Sequence, residues 1–203
     1  SGGHTSLYMV EGFTAFRQLG RTRDDAAGEA FDKVAKYLGL GYPGGRVIED
    51  LARCGNAEAI SFPRAYIAKD SLDFSFSGIK TAVVNHVRAH PPSDDGMGDI
   101  AASFQEAVVD VLADKIIWAA RRHKVDRVVV AGGVASNGRL RERLNQEREG
   151  FGIQVYFPSP PLCQDNAAMI GVAGYHLLKG GRKDGMAMGA LSRWPLDSGS
   201  QRD

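Results

Sequence analysis

The chain has 203 residues, 43% of them apolar and 24% charged, with a net charge of +1. That is room for one large or two small globular units, and the composition excludes a disordered chain, a collagen-like chain and a small disulfide scaffold. A chain of this length buries about 70% of the surface its unfolded form exposes, so it supports a core without staples.

The near-neutral balance argues against a protein dominated by nucleic-acid electrostatics. Charge is uneven, however. From Lys115 to Arg148 nine basic residues face only Asp126, Glu142 and Glu147, which reads as a weak basic face. The cysteines, Cys54 and Cys163, stand far apart and make neither a disulfide framework nor a CxxC zinc pair, so a reduced, cytoplasmic setting is expected. No apolar run is long enough for a transmembrane helix, and Ser1-Gly2-Gly3-His4 has none of the features of a signal peptide.

In chain order, residues 5–10 read as a strand and 13–19 as its hairpin partner across Glu11-Gly12. Thr22 or Asp24 can cap a helix whose stripe is Ala27, Ala30, Phe31, Val34 and Leu38, ended by Gly39 and Gly41. Pro43-Gly44-Gly45 is a turn, followed by a short helix through Val47, Ile48 and Leu51. Residues 56–75 are irregular. Phe74 and Phe76 share one face of the following extended stretch, and Ser77 can cap a helix that Pro91-Pro92 ends. The longest helix spans roughly Asp99 to His123, with Ile100, Phe104, Ala107, Val108, Val111, Leu112 and Ile116 as its core stripe. A buried strand at 127–131, a glycine turn, a basic helix at 138–146, a strand at 153–157 and a last helix from about Gln164 to Leu178 complete the order. The tail after Leu196 is polar and expected to be disordered. This order predicts an α/β fold with a mixed sheet carrying helices.

Several groups of residues could carry chemistry. Gly132-Gly133 lies between an apolar strand and a helix, where backbone N–H groups can approach a bound anion, or where a tight turn alone is needed. Ser1-Gly2-Gly3 could hold a phosphate or be an added leader. Asp25, Glu29 and Asp32 fall on one helix face, able to hold a metal or ribose hydroxyls, or simply to be solvated. Asp165 opens the last helix as a cap or as a hard oxygen ligand. His86 and His90 are one helical turn apart and read as surface or packing residues, as does His123. No HExxH, GxGxxG or GK[ST] occurs.

The segments SGGHT, DDAAGEAFDKVAKYLGLGYPGG, FPR, LDFSFSGIKTA, FQEAVVDVL, VVVAGGVASN, LR and CQDNAAMI follow one another over nearly the whole chain. Together they resemble the carboxyl-terminal two-thirds of the TsaD family, the tRNA threonylcarbamoyladenosine transferases once labelled Gcp or O-sialoglycoprotein endopeptidase. The resemblance implies an actin, Hsp70 and sugar-kinase (ASKHA) lobe lacking most of the amino-terminal lobe. It divides the chain into a lobe at 1–157, a returning segment and last helix at 158–196 that pack on the amino-terminal lobe, and the tail at 197–203. It implies transfer of threonylcarbamoyl from threonylcarbamoyl-adenylate to the adenosine beside the anticodon of tRNA, with AMP leaving.

By the same resemblance Ser1, Gly2 and Gly3 match a phosphate-contacting segment, and Asp32 an aspartate that binds ribose hydroxyls. Gly45 matches a nucleotide contact, Gly132, Gly133 and Asn137 an adenosine motif, and Asp165 a ligand to a divalent metal, iron or zinc. The family's two metal-ligating histidines, in an HxxxH motif, have no counterpart here, because His86 and His90 lie in a different context. The chain is therefore expected to be a fragment that holds the nucleotide half-site and is inactive alone. Implied partners are tRNA, an adenine nucleotide, a TsaB-like paralogue and a TsaE-like P-loop ATPase, with no membrane. A phosphotransferase lobe of the same fold and a non-catalytic scaffold paralogue are the competing readings. A metalloprotease lacks a supporting motif.

Overall fold

The computed structural model describes residues 3–68, 70–93, 96–186 and 189. Its centre is a 28-residue helix, α4 (Gly96–His123), buried on almost every side. Ile100, Phe104, Ala107, Val108 and Val111 are at most 2% exposed. A helix buried on most sides has to be wrapped, and α4 is wrapped by α2 (Gly44–Ala52), α3 (Ser77–Ala89) and α5 (Gly138–Phe151). Helix α1 (Ala27–Tyr37) packs on α2 and α3, and its Phe31 meets Phe104 edge-on at 5.2 Å. No helix among the described residues is long and apolar enough to cross a membrane.

The strands form two small sheets rather than one mixed sheet. β1 (Ser6–Val10) and β2 (Phe16–Arg21) are antiparallel, with a register shift at Leu7/Tyr8. β3 (Arg127–Val129) and β4 (Gln154–Tyr156) are parallel, joined through α5. Thr22 adds a parallel bridge to Phe74. Sequence patterning locates strands, but which strands pair is decided by how the helices route the chain. β2 starts three residues later than expected, because the Glu11 N–H donates to the Ala15 carbonyl at 2.9 Å and closes a wider loop.

Two caps also differ from expectation. Helix α1 begins after Ala26, and its Ala27 N–H donates to the Thr5 hydroxyl at 3.0 Å. Asp24 instead serves α3, accepting the N–H groups of Phe76 at 2.8 Å and Ser77 at 3.2 Å and the hydroxyls of Ser75 and Ser77. A carboxylate brought from a distant segment thus replaces the Ser77 cap, and its charge suits the positive end of α3. Burial alone would raise the Asp24 pKa. The Ser75 and Ser77 hydroxyls and the two amides outweigh it and hold the carboxyl below its ordinary value. Phe74 and Phe76 are both 1% exposed and stack with centroids 6.0 Å apart, as their shared face predicts.

Helix α6 (Ala167–Lys179) has no buried residue. Ile170, Tyr175 and Leu178 are each at least 60% exposed. His176 stacks on Phe13 in the β1–β2 loop with centroids 3.4 Å apart.

Candidate nucleotide site

Helix α1 presents Asp32 to the start of α2, where its Oδ1 accepts the Gly44 N–H at 2.8 Å. The aspartate therefore also satisfies one of the orphan amides at a helix N-terminus. Gly44 has to be glycine: a Cβ there would lie 2.5 Å from Asp32 Cα and 2.6 Å from the Phe31 carbonyl. Gly45 is different. A Cβ built on it meets nothing within 4 Å, so packing does not demand a glycine, and the backbone beside Asp32 faces open space.

The glycine turn packs against the helix that carries Asp32. Gly132 has φ 92° and ψ 170°, a conformation open to glycine alone. Gly133–Ser136 forms a short 3₁₀ turn that packs against α1. The Ser136 hydroxyl oxygen is buried with no hydrogen-bond partner in the structure. Asn137 follows as the N-cap of α5, its Oδ1 accepting the Leu140 N–H at 3.0 Å. Its Nδ2 donates to Gln105 Oε1 on α4 at 2.7 Å, and the residue is 6% exposed. The Asn137 side chain thus fixes the turn to α4. Gln105 and Ser136 lie inside the quoted segments FQEAVVDVL and VVVAGGVASN but were not singled out in the sequence.

Glu49 was also missed. One helical turn beyond Gly45, its Oε1 accepts the Gly138 N–H at 2.8 Å and ties α2 to the first turn of α5. The only available signal was its spacing from Gly45. The two carboxylates Asp32 and Glu49, the open backbone of Gly45 and the turn 132–137 thus belong to one neighbourhood built by α1, α2 and α5. Carboxylates oppose phosphate and accept from hydroxyls and amines, so the chemistry this neighbourhood suits is the nucleoside end of a nucleotide.

Of the glycine-rich start, Gly3 is exposed, and Thr5 sits at the N-terminus of α1. Ser1 and Gly2 lie outside the described residues. Asp165 is exposed, and the cap of α6 is its neighbour: Asn166 Oδ1 accepts the Met169 N–H at 3.0 Å. The 3₁₀ turn Pro160–Cys163, just before Asp165, packs against the 133–136 turn. Among the described residues no three His, Cys, Asp or Glu side chains gather to hold a metal ion. Asp165 therefore belongs to no such group among the described residues. His86 packs edge-on to Phe62 at 5.8 Å and lies beside His90, the packing role the sequence allowed.

The basic face is partly absorbed. Glu106, Asp110 and Asp114 form a stripe on α4, and α5 lays arginines against it. Arg139 donates to both Glu106 oxygens at 2.7 Å and lies 3.2 Å from Glu142. Arg143 lies 3.5 Å from Asp114 and 3.9 Å from Asp110, which also accepts from Arg64 at 2.8 Å. Arg139 and Arg143 are thus engaged in a helix–helix ion ladder and do not form part of a free basic face. Arg121, Arg122, Lys124 and Arg127 remain exposed.

Comparison with known proteins identifies the family. The profile of TsaD, tRNA N6-adenosine threonylcarbamoyltransferase, matches residues 1–172. Proteins named tRNA N6-adenosine threonylcarbamoyltransferase from Syntrophus aciditrophicus and Syntrophotalea carbinolica are 52% and 55% identical over 199 residues. The one from Geobacter metallireducens is 54% identical over 200. Each match covers 97–98% of this chain, which spans only 58–59% of the relatives' length. Among solved structures, full-length HypF in a phosphate- and nucleotide-bound form superimposes with a TM-score of 0.58 at 21% identity, covering 76% of this chain and 25% of HypF. HypF from T. kodakarensis gives 0.56 at 19%, covering 75% and 20%. At that identity the likeness is one of fold. The extent and identity of the sequence matches establish that the chain belongs to the TsaD family of tRNA N6-adenosine threonylcarbamoyltransferases.

Proposed function

We propose that the whole protein transfers a threonylcarbamoyl group from threonylcarbamoyl-adenylate to the N6 amine of an adenosine beside the anticodon of tRNA, and that this chain supplies the nucleoside half of the donor site. The observation that carries the reading is the Asp32–Gly45 pair: a carboxylate beside backbone that has open space where a side chain would go. In this reading Asp32 accepts from the ribose hydroxyls, and Gly45 lets the backbone approach the nucleoside. Gly132, Gly133 and Asn137 shape the opposite wall, and the Ser1-Gly2-Gly3 segment approaches the phosphate. Full-length HypF, a quarter of which shares this fold, was solved in a phosphate- and nucleotide-bound form.

In the reaction the tRNA amine attacks the carbamoyl carbonyl and AMP leaves. The chain's part is positioning: holding the adenylate so that the carbonyl meets the amine. We assign no general base to it. In this reading Asp165 would be one ligand to the family's divalent metal, which needs further ligands beside it. The ASKHA pairing of two lobes follows the same logic, with residues 158–196 and α6 returning to the other lobe. A TsaB-like paralogue and a TsaE-like ATPase are the expected protein partners, and Arg121, Arg122, Lys124 and Arg127 are exposed basic residues able to face tRNA.

The test is transfer itself. Whole protein, threonylcarbamoyl-adenylate and unmodified tRNA are combined with the partners, and the tRNA nucleosides are analysed by mass spectrometry. Threonylcarbamoyladenosine forms with wild type and drops at least tenfold with Asp32→Ala, about the loss of one charged hydrogen bond. Equal product from both proteins excludes the ribose role of Asp32.

A further inference from the structure

The glycine turn and the segment that leads into α6 are separated by more than twenty residues, yet one side chain spans them. Arg141, half-buried on the first turn of α5, donates through Nε to the Ala135 carbonyl at 2.6 Å. Its Nη2 donates to the Pro158 carbonyl at 2.9 Å and reaches Cys163 Sγ at 3.5 Å. The guanidinium plane lies 4.7 Å from the centroid of the Phe157 ring. The Cys163 thiol closes the circuit, donating to the same Pro158 carbonyl at 3.7 Å.

These contacts use what is specific to arginine: a planar fork with donors on two edges and a face that stacks. A lysine ammonium reaches one carbonyl as a point donor and cannot bridge and stack at once. The acceptors are main-chain carbonyls from two irregular segments, 132–137 and 158–163, neither of which has a regular ladder holding it to the other. Helix α5 is itself fixed to α4 by the Arg139–Glu106 pair and by Asn137–Gln105. Arg141 therefore works from a rigid base.

We propose that Arg141 is a positioning residue that clamps the 132–137 turn to the 158–163 turn, so that the wall of the nucleotide site and the segment entering α6 keep one geometry. Its effect on nucleotide affinity rests on the reading of 132–137 as that wall. The clamp itself does not.

The experiment compares wild type, Arg141→Lys and, as a control on the same helix, Arg143→Lys, all in the whole protein. Hydrogen exchange is followed at the hydrogen-bonded amides of Ala135, Asn137 and Leu162, and AMP binding by calorimetry. In R141K the amides of both turns exchange at least tenfold faster together, the amides of α4 keep their rate, and the AMP Kd rises about tenfold. R143K changes neither turn. Loosening of only one turn, or equal loosening of α4, overturns the clamp. An unchanged AMP Kd despite joint loosening overturns its link to the site. Failure of the wild type to bind AMP overturns the nucleotide reading, while the exchange result still supports or overturns the clamp by itself.

Discussion

The Glu49 carboxylate on α2 accepts the N–H of Gly138, the first residue of α5, at 2.8 Å. Two helices far apart in sequence are joined at the point where α5 presents its orphan amides. Glu49→Ala removes that acceptor and costs about 0.5–2 kcal/mol, the range of a lost cap. Glu49→Gln keeps an oxygen there and costs less. Urea melts of the two variants check the order, and an alanine variant as stable as the glutamine one would show that the bond contributes nothing.

Gly44 and Gly45 are adjacent and should behave oppositely. Gly44→Ala drives a methyl into Phe31 and Asp32 backbone and destabilises by about 1–3 kcal/mol or more, the cost of overpacking. Gly45→Ala meets open space and, inside α2, leaves stability unchanged or raises it by up to about 1 kcal/mol. AMP binding should nonetheless weaken in Gly45→Ala, because its methyl occupies the space assigned to the nucleoside. Thermal melts and calorimetry on the pair separate packing from binding. A destabilised but fully binding Gly45→Ala would reverse the assignment.

The Asp24 carboxyl sits below its ordinary value, and so does that of Asp73. In Asp73 burial works upward and is outweighed by the Arg21 amide and the Arg23 guanidinium. A depressed carboxyl stabilises the fold fully above its unfolded value and ceases to do so as pH falls through its folded value. The melting temperature should therefore hold down to about pH 4 and drop below it. Asp24→Asn, which keeps one acceptor but no charge, should be less stable than wild type near neutrality and flatten part of the acid slope. Melts from neutral to acid pH read this directly, and parallel curves for wild type and variant would remove Asp24 from the acid transition.

The ladder of α4 and α5 predicts that charge reversal at Arg139 is a stability mutation. With Arg139 and Glu106 mostly buried (28% and 17% exposed), Arg139→Glu sets like charges together and costs about 3 kcal/mol or more. Restoring the pair in reverse, with Glu106→Arg, recovers part of that loss. For tRNA, reversal at Lys124 and Arg127 should weaken binding at low salt, with the deficit shrinking as salt rises. Unaltered low-salt binding in that double variant would move the RNA surface to other residues.

Helix α6 offers Met169, Ile170, Val172, Tyr175 and Leu178 to solvent within a chain that spans under three-fifths of its relatives. An apolar surface of this kind associates. The 203-residue chain should self-associate in sedimentation at high concentration. Ile170→Glu with Leu178→Glu should return it to monomer without lowering the melting temperature. A wild-type monomer throughout would exclude α6 as an association surface.

Much of this protein is legible along the chain because it rests on local rules. The stripe of α4, the shared face of Phe74 and Phe76 and the glycine turn after an apolar strand all follow from periodicity or from side chains acting on near neighbours. What tertiary structure alone decided are the contacts between segments that periodicity cannot connect. Asp24 caps α3 rather than α1, because the donors of residues 75–77 reach it across fifty residues of chain. Arg139 and Arg143, which along the sequence look like a basic face, are neutralised because α5 crosses α4 along its acidic stripe. Glu49 and Arg141 look like ordinary surface charges on amphipathic helices. They become links between segments only once the fold brings main-chain donors and acceptors within reach, and a main-chain group leaves no mark in the sequence.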